Sequence, residues 1–140
     1  MRLFAAALFL LAGCATTSAP PDRIEGCWIG RTPRGETTTM RWLPDPAQPG
    51  VLMGHYLSYA SNEAQGQRTY KLVPGGDGEF QFCYLAAADD ERCWAVARGS
   101  SGSLEGGRAF IDVHGERLRI SIHDGAVERV VFQGNRDGCD

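Results

Sequence analysis

The residues able to do chemistry in this chain are few: five cysteines, three histidines, one serine-rich stretch and scattered carboxylates. His114 and His123 stand at opposite ends of one alternating run, roughly 20–25 Å apart at about 3.4 Å per residue, too far to share a metal ion. His55 is alone beside Gly54. Gly99-Ser100-Ser101-Gly102-Ser103 approaches Gly-x-Ser-x-Gly but carries Ser103 in place of the second glycine. It also lacks the strand-to-helix turn that exposes a nucleophilic serine. Asp89-Asp90-Glu91 has neither the alternating ligands nor the central glycine of a calcium loop. Glu36, Glu63 and Glu79 fall in or near loops and offer no pair for acid–base work. The expectation is a protein that is not an enzyme, with no catalytic residues, no metal and no cofactor.

The cysteines read differently. Cys14 closes an apolar leader, which leaves Cys27, Cys83, Cys93 and Cys139, an even number with three pairings open to it. The runs 80–85 and 92–97 both alternate, with the acidic stretch between them. Setting Cys83 opposite Cys93 puts Phe82 opposite Trp94 and Phe80 opposite Val96, so the large apolar groups share one face. Cys27 and Cys139 then remain, one at each end of the domain. A Cys₄ metal site is disfavoured because no Cys-x₂-Cys spacing is present. The preferred disulfides are therefore 83–93 and 27–139.

These side chains need strands to position them. Beyond residue 24, short alternating runs recur between turn signals, and strands are expected at 24–30, 36–43, 51–59, 67–73, 79–85, 92–98, 108–114, 117–123 and 126–133. His114-Gly115 and Asp124-Gly125 suit two-residue turns. The first would pair Ile111 with Leu118, Ala109 with Ile120 and, outside, Asp112 with Arg117. The second would pair Ile122 with Val127 and Ile120 with Arg129, placing Arg129 on the apolar face. Many short antiparallel strands in one small domain predict an up-and-down β-barrel of eight or nine strands, with a β-sandwich as the alternative. A barrel of this size is either filled by side chains or holds one small ligand. Trp42, Tyr56, Tyr70, Tyr84 and Trp94 are the candidate pocket lining, with Arg41 or Lys71 near the mouth.

The N-terminus gives an address. Arg2 precedes the apolar run Leu3–Leu11, whose nine residues span roughly 14 Å as a helix, about half a bilayer core. A cleaved export signal over 1–13 fits, and a membrane span does not. Leu11-Ala12-Gly13-Cys14 resembles the lipobox of bacterial lipoproteins. That resemblance implies a lipidated Cys14, a tether over 14–22 and a domain over 23–140. Ala15 and Thr16 lack the aspartate that holds such proteins at the inner membrane, which implies the bacterial envelope and an outer-membrane anchor facing the periplasm. The chain of 140 residues is 43% hydrophobic and 22% charged with a net charge of −3, a balance suited to one globular domain and unsuited to nucleic acid.

Gly26-Cys27-Trp28 resembles the Gly-x-Trp opening of lipocalin-type, or calycin, barrels. In these an arginine near the chain's end packs over the first-strand tryptophan, a role the resemblance gives to Arg129 over Trp28. Gly26–Gly30, Trp42-Leu43-Pro44, Gly50–Gly54 and Tyr70-Lys71-Leu72 are similar to a bacterial lipocalin-like family of unknown function. The likeness covers about 24–73 and departs at Met40, where that family carries an acidic residue; the half after Phe80 does not follow it. Two functions compete. One is a membrane-anchored module that binds a small apolar or amphiphilic ligand. The other is a lipoprotein with a filled core that binds another protein, as an inhibitor of a cell-wall enzyme or an envelope assembly accessory.

Overall fold

The computed structural model describes residues 23–87, 90–97 and 107–139. The leader, Cys14, the tether, part of the acidic stretch and the serine-rich stretch lie outside the described residues. Nine strands form one closed barrel in sequence order: β1 (Gly26–Arg31), β2 (Thr37–Pro44), β3 (Leu52–Ala60), β4 (Glu63–Pro74), β5 (Phe80–Ala87), β6 (Asp90–Val96), β7 (Arg108–His114), β8 (Arg117–Asp124) and β9 (Val127–Asp137). The expected barrel is present, with strand bounds within a few residues of those read from alternation. β4 and β9 differ most: β4 starts four residues early, at Glu63, because Ser61 and Asn62 make a tight turn with φ of 52° and 66°, and β9 runs four residues further, to Asp137.

Parity shapes the closure. Nine strands that alternate strictly in direction would bring β1 and β9 together parallel, yet they pair antiparallel. One parallel pair, β6 with β7, restores the count. It consists of only Ala95↔Arg108 and Val96↔Ala109. β7 therefore begins where β6 ends, and Asp90–Trp94 has no strand partner on that side among the described residues. The barrel is continuous at one end and seamed at the other.

The continuous end is sealed. Ile24, Trp28, Met40, Trp42, Leu72, Phe82, Leu118, Ile120 and Phe132 are all almost wholly buried. Trp42 lies over its cross-strand neighbour Gly54, where an added Cβ would sit 2.7 Å from the indole. The Trp42 indole N–H is buried with no acceptor among the described residues. Below this layer, Trp28 donates from Nε1 to the Ile24 carbonyl at 2.8 Å, and the Arg136 guanidinium covers its ring at 4.2 Å. The same guanidinium donates to the carbonyls of Glu25 and Arg23, each at 3.0 Å. This corrects the assignment of Arg129: register sets Trp28 opposite Arg136, whereas Arg129 pairs with Ile122 far from that end.

Both expected disulfides form, 83–93 where the register sets it and 27–139 as the remaining pair. Cys83 faces Cys93, and Cys27 joins Cys139 at the sealed end. In the chain-entropy model the long loop is worth up to about 5 kcal/mol and the short one about 3 kcal/mol. The two late hairpins differ from expectation by one turn residue. Gly115 and Gly125, at φ of 54° and 63°, take the first turn position rather than the second, giving His114↔Arg117 and Asp124↔Val127. Partners in the first hairpin move by two residues, so Ile111 meets Ile120 and the inner face is preserved. Among the described residues, the core side chains form one cluster running from Ile24 to Phe132, and the two disulfides join its hairpin and its ends.

Two substitutions test this packing. Gly54→Ala is expected to destabilise the oxidised barrel by about 1–3 kcal/mol, because the indole of Trp42 has no room to yield. Arg136→Lys, which keeps the charge but loses the planar fork, is expected to cost about 1–2 kcal/mol. Urea unfolding followed by tryptophan fluorescence checks both, and an unchanged midpoint would show that neither contact matters.

Candidate functional site

At the seamed end the inner face changes character. A cavity of about 270 Å³ is lined by Arg68, Tyr70, Tyr84, Trp94, Ile122, Arg129, Val130 and Val131. Alternation along each strand carries the lining: Arg68 and Tyr70 share a face with Leu72 on β4, and Tyr84 shares one with Phe82 on β5. Trp94 lies opposite Phe82 on β6. Aromatic packing joins this cavity to the core beneath it, with Tyr70 stacked on Phe82 at 5.1 Å and tilted against Tyr84 at 5.5 Å.

Bulges shape the rim. Register shifts occur between Ser58 and Tyr59, between Leu85 and Ala87, and between Ile120 and Ser121, all toward the seamed end. Each adds a residue to one strand and increases local twist, as is common at barrel rims. The third has a chemical consequence. Phe132 faces inward opposite Ile120, and strict alternation from it would send Arg129 outward. The extra residue on β9 reverses the parity and sets Arg129 opposite Ile122, against the cavity.

The mouth is cationic. Arg68 lies over the Tyr56 ring at 5.4 Å, while Arg92 and Arg129 lie over Trp94 at 4.9 and 6.0 Å. Arg92 also reaches Asp124 at 3.6 Å, and Asp124 accepts from Trp94 Nε1 at 3.2 Å. Neither Arg68 nor Arg129 forms an ion pair among the described residues. Burial pushes the Tyr70 phenol above its ordinary value, opposed by the Arg68 charge and by a hydrogen bond from Arg68. Tyr56 is raised in the same way, burial outweighing Arg68.

Of the five candidate lining residues, Tyr70, Tyr84 and Trp94 meet in one cavity. Trp42 does not join them, being fully enclosed in the sealed half, and Tyr56 sits under Arg68 outside the lining. Arg41 and Lys71 are not at the mouth either. Arg41 alternates with the buried Met40 and Trp42, and Lys71 with the buried Tyr70 and Leu72, so both face outward. Lys71 pairs with Glu91 at 3.7 Å. The cations at the mouth are Arg68, Arg92 and Arg129. The first two were legible from the parity they share with Tyr70 and Trp94, and Arg129 from the hairpin pairing that set it on the apolar face; the bulge is what lets Arg129 share that side with Phe132.

Two other groupings fall short of a reaction centre. Glu91 lies beside Cys83 and Cys93, but the disulfide leaves no thiolate to bind a metal. Ser121, His123 and Glu128 converge on the outer face, with His123 Nε2 3.4 Å from the Ser121 hydroxyl and 3.3 Å from Glu128. Both contacts use the same ring nitrogen, whereas a relay needs one nitrogen for the serine and the other for the carboxylate. Glu128 is instead held by Arg119 at 2.7 Å, whose hydrogen bond lowers its pKa.

The raised tyrosines fix a pH dependence. An unfolded phenol ionises near pH 10, and the buried Tyr70 resists ionisation, so the folded state holds more protons above that pH. The stability this contributes is fully present below about pH 10 and is lost as pH rises through the folded value. The urea midpoint should fall as the pH rises above about 10, and by less in Tyr70→Phe; equal falls in both proteins would contradict this.

Comparison of the chain with protein-family models, with curated proteins and with solved structures finds no match.

Proposed function

We propose that this protein is a lipid-anchored binding module of the bacterial envelope that holds a small amphiphile in the seamed half of its barrel. The observation that carries the reading is the division of the interior: one half is packed solid, and the other keeps a cavity of about 270 Å³ with aromatic and aliphatic walls and polar groups at its mouth. That combination characterises small-molecule sites, and the volume lies just below their usual range of about 300–1,000 Å³, which suits a small ligand. The arginine covering the first-strand tryptophan supports the likeness to calycin barrels, now through Arg136. The lipobox resemblance supports the anchor on Cys14, and the absence of aspartate at Ala15 and Thr16 supports the outer-membrane address. The proposal includes no reaction, cofactor or nucleic acid.

A second reading, a lipoprotein that binds another protein, draws on the outer surface. A shallow groove of about 910 Å³ runs over β1, β7, β8 and β9 beside the exposed Ile29 and the cations Arg31 and Arg117. This surface is open and of mixed polarity, and the cavity favours the first reading.

Native mass spectrometry of residues 15–140, exported and oxidised, separates them. Extra mass that solvent extraction removes, and that Val131→Phe reduces by filling the cavity, is the expected result. A bare mass in both proteins would favour the protein-binding reading.

A further inference from the structure

We propose that the ligand's head group is an anion, a carboxylate or phosphate ester, held at the mouth by Arg68 and Arg129. This rests on the binding reading above and deepens it. Two guanidinium groups line one small cavity without a carboxylate partner among the described residues. Like charges gathered at one rim raise the local potential, and an anion is the ligand that relieves it. Guanidinium also presents planar donors suited to carboxylate and phosphate oxygens. The Tyr70 phenol lies in the same lining and has an O–H to donate.

The walls argue against the opposite charge. An aromatic cup often recognises cations, but here the Trp94 ring is already approached by Arg92 and Arg129. A cationic ligand would compete with both and be repelled by both. A neutral ligand would leave both guanidinium charges uncompensated. Tyr84, Trp94, Ile122 and Val131 remain for the tail. At about 30 Å³ per water-sized group the cavity takes about nine such groups, which selects a short chain or a single ring over a diacyl lipid.

The oxidised segment 15–140, stripped by solvent extraction, is titrated with octanoate, octyl phosphate, octanol and octylamine and followed by calorimetry. One or both anions should bind at least about tenfold more tightly than octanol. Arg68→Gln and Arg129→Gln should each weaken the anion by about tenfold and leave octanol unchanged, while Arg41→Gln on the outer face changes nothing. A lead for octanoate points to free fatty acids as the source, and a lead for octyl phosphate to phosphate-bearing lipid fragments. If octanol matches the anions, or octylamine exceeds them, the anion assignment fails and the binding reading stands. If none of the four binds, both fail.

Discussion

Everything in this barrel hangs on how its first strand meets its last. Trp28 and Arg136 face each other across that junction, the guanidinium covering the indole at 4.2 Å while its remaining donors tie down the backbone at Arg23 and Glu25. The Cys27–Cys139 disulfide lies beside them. A cation over an indole is worth about 0.5–2 kcal/mol and the hydrogen bonds from a charged donor about as much again each. Acting together they close a nine-strand sheet at its most demanding point, where two strands far apart in sequence must pair. With the closure fixed there, the mismatch in strand number is absorbed on the far side, between β6 and β7.

That displacement divides the interior. Near the closure, rings and aliphatic groups fill the space so completely that only glycine fits opposite Trp42. Toward the seam, pairing thins to two residue pairs, bulges widen the rim, and the inner face passes from Phe82 through Tyr70 to Arg68. Burial alone would make Tyr70 and Trp94 core residues. Their neighbours make them walls.

Much of this was legible in the sequence. Opposing Cys83 and Cys93 required only that Phe82 and Trp94 share a face, and the strands followed from period-two alternation between Gly- and Pro-rich breaks. The same alternation placed Arg41 and Lys71 outside and Arg68 inside, a distinction that proximity to aromatic residues obscured. Register was harder. A hairpin shifted by one turn residue leaves the inner face unchanged, so the hydrophobic pattern could not decide between two positions for Gly115 and Gly125. Arg129 and Arg136 are seven residues apart and both act on the inner side, which an unbroken strand forbids. The bulge opposite Ile120 and Ser121 permits it, and nothing local in residues 127–137 announces a bulge. The turn at Ser61-Asn62 was missed for a related reason: two non-glycine residues accept positive φ there, without the usual Asn-Gly signature.

The division into a sealed half and a receptive half is most directly tested by the indole N–H signals of the oxidised barrel in solution. The chain has three tryptophans, two in the sealed half and one at the cavity. On titration with octanoate, the account predicts that the Trp94 signal moves while those of Trp28 and Trp42 stay in place. Shifts at Trp42 or Trp28 as large as those at Trp94 would contradict it, since they would place the ligand in the packed half.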